Sequence, residues 1–79
     1  MNRLKKILAK VLEVSEKEIN DDSSPNSIAN WDSFNALMLV SELEDEFKIR
    51  FTMEEVINVK SVGDIKRVLI KHGIKPNEI

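Results

Sequence analysis

Leu4, Ile7, Leu8, Val11 and Leu12 recur at helical spacing, with Arg3, Lys5, Lys6 and Lys10 between them. This pattern predicts an amphipathic helix ending near Val14. It then stops. Residues 15–32 lack a period, and residues 20–27 (Asn-Asp-Asp-Ser-Ser-Pro-Asn-Ser) are dense in turn formers, so a long loop is expected, pinned by Ile19 and Ile28. A connection of that length in a small domain is either functional or conceals an element, and Ser15 with Glu18 has the spacing to cap one short turn.

Periodicity returns with a second helix over about residues 33–47, which contains no Gly or Pro and has Asp32 as its cap or first-turn acid. Thr52 followed by Glu55 is a capping box opening a short helix through Val56 and Ile57. Ser61 followed by Asp64 is a similar start for a last helix. That helix sets Val62, Ile65, Val68 and Leu69 on one face and stops at Gly73, a natural left-handed terminator. His72, at its end, helps to close it. The tail, about residues 75–79, is expected to be loose.

The composition agrees with an all-α chain: 42% hydrophobic, 33% charged, two Gly, two Pro and 5% aromatic. Seventy-nine residues make one domain over 1–79, with room for a modest core but not for a buried catalytic cleft and its supporting shells. The absence of cysteine excludes disulfides, Cys-based zinc sites and a thiol nucleophile, and suits a reducing cytoplasm. No apolar run approaches signal or membrane-spanning length, so membrane insertion is not expected.

The net charge of −2 hides a polarity: residues 13–55 carry twelve acids and three bases, while the remaining residues carry nine bases and two acids. An acidic centre repels nucleic acid and steers a basic protein patch toward itself. A helix-turn-helix reader is excluded by the same acidity. The 20–27 cluster lacks the turn Gly and closing Glu of an EF-hand loop, and no metal site is expected.

At about 100° per residue, Ala36, Leu39, Val40, Leu43 and Phe47 form one side of the second helix, a normal core stripe. Phe34, Leu37, Met38 and Ser41 fall on roughly the opposite side, an outward apolar patch to be covered by a partner, the long loop or a carried chain. Glu42, Glu44, Asp45 and Glu46 continue it. Acids at a helix C-terminus oppose the dipole, so Glu44 and Asp45 join Phe34, Leu37, Met38 and Ser41 as candidate docking residues, the charges steering and the apolar groups holding.

Trp31-Asp32-Ser33-Phe34, followed by Leu37, Leu39, Val40, Leu43 and Glu44-Asp45-Glu46-Phe47, resembles the acyl carrier protein family. The likeness extends to the long loop, the short third helix after Ile49-Arg50-Phe51 and the Ser-Val-x-Asp-Ile start of the last, covering nearly the whole chain. It implies a four-helix bundle of acyl-carrier-protein type. It also implies 4′-phosphopantetheine on the Ser33 hydroxyl, placed there from coenzyme A by a phosphopantetheinyl transferase using magnesium. Asp32 would help to orient that reaction.

The family's role is a monomeric, cytoplasmic carrier, not an enzyme: the arm's thiol holds an acyl or aminoacyl group as a thioester for loading, modifying and transfer enzymes with basic docking patches. Asp-Ser alone is weak, since Asp22-Ser23 repeats it in a loop; position selects Ser33 among seven serines. A phosphodiester there lies near unpaired N–H groups and the positive end of a dipole. No base is in sight for a catalytic serine, and no histidine–carboxylate pairing is visible.

Phe34 stands where the family usually has an aliphatic residue, and Asn35 and Met38 where fatty acid synthesis carriers are commonly acidic. Asp-Ser-Phe resembles D-alanyl and other secondary carriers, and Trp31 before Asp is common in pathway-specific ones. These departures point to a stand-alone carrier of a specialised pathway, fatty acid, polyketide or other. The alternatives are a D-alanyl or aminoacyl carrier, and an unmodified helical interaction module.

Overall fold

The structure is a computed structural model and describes residues 3–79. The described residues form four α-helices and two short 3₁₀ turns: α1 (Arg3–Leu12), a turn at Glu16–Glu18, α2 (Ser33–Phe47), α3 (Met53–Asn58), α4 (Val62–Lys71) and a turn at Pro76–Glu78. This is the helical bundle expected from the periodicity.

The core is built from α1, α2 and α4. Leu4, Leu8 and Leu12 of α1, Leu39 and Leu43 of α2, and Val62, Ile65 and Leu69 of α4 are all essentially excluded from solvent. The long loop adds Ile19, Ile28 and Trp31. Val11 is only half-buried, at the edge of the stripe. Helix α3 gives the buried core no apolar residue; its one buried side chain is Glu55.

Three helices end the same way, two of them without glycine. The N–H groups of Val14, Ile49 and Ile74 reach back five residues to the carbonyls of Ala9, Glu44 and Leu69. Each closure carries a left-handed residue: Glu13 (φ 57°), Lys48 (φ 59°) and Gly73 (φ 93°). Glu13 therefore stops α1 two residues before the expected Val14, because a left-handed backbone turns the chain off the helix axis.

The loop between α1 and α2 is organised. Ser15 and Glu18 form the expected capping box. Further along, Asn20 and Ser24 fold their own turns with side-chain oxygens. The carbonyls of Ser23 and Asp21 accept from the N–H groups of Val62 and Gly63 at 3.0 and 2.9 Å, so the loop occupies the first-turn donors of α4. Asn30 Nδ2 donates to the Leu12 carbonyl at 2.9 Å, fastening the loop to the end of α1.

Residues 75–79 depart from the loose tail expected of them. The Ile79 side chain is buried, and its carbonyl accepts from Leu4 N–H at 2.9 Å. Arg3 donates to the Glu78 carbonyl at 3.2 Å. The segment is held because Ile79 supplies both an acceptor for a first-turn N–H of α1 and an apolar plug at that end of the core. No pattern inside five residues encodes a contact with the other end of the chain.

Candidate functional site

Ser33 is the first residue of α2 and is exposed. Asp32 is the N-cap: its Oδ1 accepts from Asn35 N–H at 2.9 Å, and its carbonyl accepts the first helical bond, from Ala36 at 2.8 Å. By helix geometry the N–H groups of Ser33 and Phe34 have no acceptor within the helix. Trp31, two residues before Ser33, is buried in the core, and Asn35 Nδ2 donates to the Asn30 carbonyl at 2.7 Å. The serine thus stands on a backbone fixed on both sides.

The competing dipeptide is placed differently. Ser23 is 4% exposed and its Oγ accepts from Asn20 N–H at 3.0 Å, so the hydroxyl is spent inside the loop. Burial separates the two serines where sequence gave only the surrounding pattern.

The docking candidates divide. Phe34, Leu37 and Met38 are 71%, 62% and 42% exposed, with Ser41 and Asp45 exposed beyond them. The outward patch is therefore real, and the long loop does not cover it. Glu44 differs from the others: it is half-buried, and its Oε2 accepts from Phe51 N–H at 2.8 Å, holding the turn between α2 and α3. Two neighbours are also engaged, Glu42 with Lys10 at 3.2 Å and Glu46 with Arg3 at 2.8 Å. Arg3 further donates to the Glu46 carbonyl at 3.0 Å and lies over the Phe47 ring, 4.4 Å from its centre.

The last turn of α2 has no base of its own, so α1 supplies the positive charge that the acids and the dipole require. The acids that oppose the dipole are structural in the antiparallel α1–α2 pair. Among the described residues only Asp45, of the four, has no ion-pair or hydrogen-bond partner.

A second polar cluster lies between α3 and α4 and overturns the expected absence of a histidine–carboxylate pair. His72 Nε2 lies 3.0 and 3.1 Å from the two oxygens of Glu55, and its ring stacks on Phe51 at 6.4 Å between centres. Glu55 also accepts from Thr52 N–H at 2.9 Å and pairs with Lys71 at 3.2 Å. The Thr52 N–H, then His72 and Lys71, hold its carboxyl down at about 2, against the burial that raises it.

Seventeen residues separate His72 from Glu55, so neither helix pattern nor local spacing shows the pair. The capping box was the visible half. Asp64 behaves similarly on a smaller scale: the Lys60 N–H, followed by Arg67, holds its carboxyl below the ordinary range. It reaches Lys60 rather than the Ser61 N–H of a full capping box.

The Ser33 surroundings fit a phosphodiester-linked group. The hydroxyl is open to solvent, donors that lack helical acceptors lie beside it, and the flanking residues are anchored. When bound, 4′-phosphopantetheine supplies a flexible arm and a terminal thiol that holds acyl groups as thioesters. Among the described residues no helix is long and apolar enough to cross a membrane.

Comparison with known proteins agrees with the geometry. A family model described as "Phosphopantetheine attachment site" matches residues 2–69. An acyl carrier protein of Buchnera aphidicola is 34% identical over 70 residues, covering 89% of this chain and 90% of that one. Another, of Clostridium perfringens, is 31% identical over 74 residues, covering 94% and 97%. A solved structure described as a candidate acyl carrier protein from Mycobacterium tuberculosis superposes with a TM-score of 0.77 at 25% identity, over 87% of this chain and 92% of that one. The chain belongs to the acyl carrier protein family, as a carrier rather than an enzyme, with 4′-phosphopantetheine as its prosthetic group.

Proposed function

We propose that Ser33 bears the 4′-phosphopantetheine, and that the chain carries an acyl or aminoacyl group to the enzymes of a specialised pathway as a cytoplasmic monomer. The observation that carries this reading is the exposed Ser33 hydroxyl at the capped start of α2, against the buried Ser23 hydroxyl of the other Asp-Ser. Ser33 Oγ gives up its proton and forms the new bond to the phosphorus of the phosphopantetheine half as the pyrophosphate linkage of coenzyme A breaks and 3′,5′-adenosine bisphosphate leaves. Asp32, capping α2 through one oxygen, keeps the hydroxyl at the helix entrance and leaves its exposed carboxylate edge to the phosphopantetheinyl transferase.

Phe34, Leu37, Met38 and Ser41 form the docking face, with Asp45 as its steering charge. A face this apolar beside the attachment point favours a restricted set of partners over the many enzymes of a housekeeping fatty acid carrier. An aminoacyl cargo is the second reading, favoured by Phe34 directly after Ser33.

Incubation with coenzyme A and a promiscuous transferase, followed by intact mass, tests the assignment. One phosphopantetheine is expected on the wild type and none on Ser33→Ala. An unchanged gain on Ser33→Ala would move the site elsewhere, and no gain on the folded wild type would leave an unmodified interaction module. For the pathway, the loaded protein is expected to be a poor substrate of fatty acid synthesis enzymes. Efficient elongation would make it a housekeeping carrier.

A further inference from the structure

We propose that Asn35 and Asn30 form a relay that sets the presentation of Ser33, with the Asn35 carboxamide as the positioning group; the inference rests on the reading of Ser33 above. Asn35 Nδ2 donates to the Asn30 carbonyl at 2.7 Å, and Asn30 Nδ2 donates to the Leu12 carbonyl at 2.9 Å. Leu12 is the last residue of α1, so its carbonyl is one of those for which the helix itself holds no donor. Two side chains thus join the end of α1 to the first turn of α2, and Ser33 lies between them in the chain.

The position shows that this amide does not serve the helix as a helix. Asn35 is the third residue of α2, where a carboxylate gains from the positive end of the dipole and asparagine is an indifferent helix former. The first turn nevertheless carries no acid. What asparagine adds is an N–H that a carboxylate of the same shape lacks. An acid here would turn an oxygen toward the Asn30 carbonyl, and the relay would open.

Both ends of Asn35 are tied to the segment before Ser33, since its backbone N–H is held by Asp32 Oδ1 at 2.9 Å. The receiving segment is itself fixed: Trp31 is buried, and its N–H donates to the Ile28 carbonyl at 3.1 Å. Both amides donate to backbone carbonyls, so they act on Ser33 through the chain rather than by touching its hydroxyl. An enzyme that modifies Ser33 therefore meets the start of α2 already in one arrangement and has little ordering to do on binding. With the relay cut, only a fraction of molecules present that arrangement. Apparent affinity then falls by that fraction while the reaction within the complex is unchanged, whereas a group acting on the reacting atoms would lower kcat.

Phosphopantetheinylation of the full chain by a promiscuous transferase with coenzyme A, followed by intact mass at varied carrier concentration, tests the relay. Asn35→Ala is expected to raise KM about fivefold with kcat kept, the effect of one lost hydrogen bond. Asn35→Asp, isosteric but without the N–H, should follow it. Asn30→Ala keeps the acceptor carbonyl but lets go of α1, and should give a smaller rise. Because the two side chains act in series, the double alanine variant should be no worse than Asn35→Ala alone. On the unmodified chain, backbone NMR relaxation should give order parameters of about 0.85 at Ser33 and Phe34 in the wild type and lower values in both Asn35 variants, with α4 unchanged.

Wild-type KM in Asn35→Ala on a chain that is modified would overturn the relay, as would a fall in kcat at constant KM, or effects of the two alanines that multiply. A response of Asn35→Asp alone would make the added charge the cause and overturn it too. Alanine is a better helix former than asparagine, so Asn35→Ala is expected to stay folded; an equal loss of order in every helix would mean general destabilisation and count against the relay. Absence of any mass gain on the wild type would sink the reading of Ser33 instead, and the relaxation series would then decide alone whether the two asparagines hold the start of α2.

Discussion

Replacing Glu44 by alanine separates two roles for an acid on α2, holding the fold and meeting a partner. Its Oε2 accepts from the Phe51 N–H at 2.8 Å in a part-buried setting, at the point where the chain turns from α2 into α3. Alanine leaves that N–H without its acceptor. A hydrogen bond to a charged group contributes about 1.5–3 kcal/mol, and with Glu44 only half-buried the lower end applies, about 1.5 kcal/mol. In a domain of this size each kcal/mol moves the Tm by about 4–8 °C, so a fall of about 6–12 °C is expected.

Two companion variants make the measurement specific. Glu44→Gln keeps an oxygen in reach of Phe51 and should recover most of the loss, whereas Asp45→Ala, at an exposed neighbour, should stay within about 0.5 kcal/mol of wild type. Thermal and urea unfolding followed by far-UV circular dichroism report all three. If Glu44→Ala unfolds at the wild-type temperature and slows a partner enzyme as much as Asp45→Ala does, the loop-holding role is refuted and Glu44 returns to the docking face.

Ile79→Ala should cost about 2 kcal/mol in urea unfolding, the low end for a buried isoleucine because the site lies at the edge of the core; a loose tail would give no change. Acid stability should follow Glu55. Its folded-state carboxyl, at about 2, lies below the ordinary 4.5, so its contribution is complete above pH 4.5 and is lost as pH falls toward about 2. The stability difference between wild type and Glu55→Gln should narrow across that window, and a constant difference would contradict the assignment.

Local chemistry was the most legible part of the chain. The capping boxes at Ser15 and Thr52 lie within four residues each, and both formed as expected. The two faces of α2 were readable because a single period of about 3.6 places every side chain. Partner choice among polar residues was not readable. Arg3 and Glu46 are 43 residues apart, and only the antiparallel packing of α1 on α2 brings them together.

A count of charges therefore exaggerated how much of the acidic centre faces outward, since Glu42, Glu44, Glu46 and Glu55 are engaged within the fold. The end of the chain failed for the opposite reason: Ile79 is an unremarkable residue locally and acquires its role only from the first turn of α1, whose Leu4 N–H it accepts.

The anchoring of Trp31 has a mechanical consequence. With the indole seated in the core and Asn35 tied back to Asn30, the peptide unit that bears Ser33 cannot swing as a hinge. With the arm on Ser33 as proposed, all reach belongs to what hangs from the hydroxyl, and the start of α2 acts as a stiff mast. Delivery is then a matter of matching the mast's footing to each client: an enzyme that seats the start of α2 a few ångströms out of place cannot be compensated by give in the carrier's backbone.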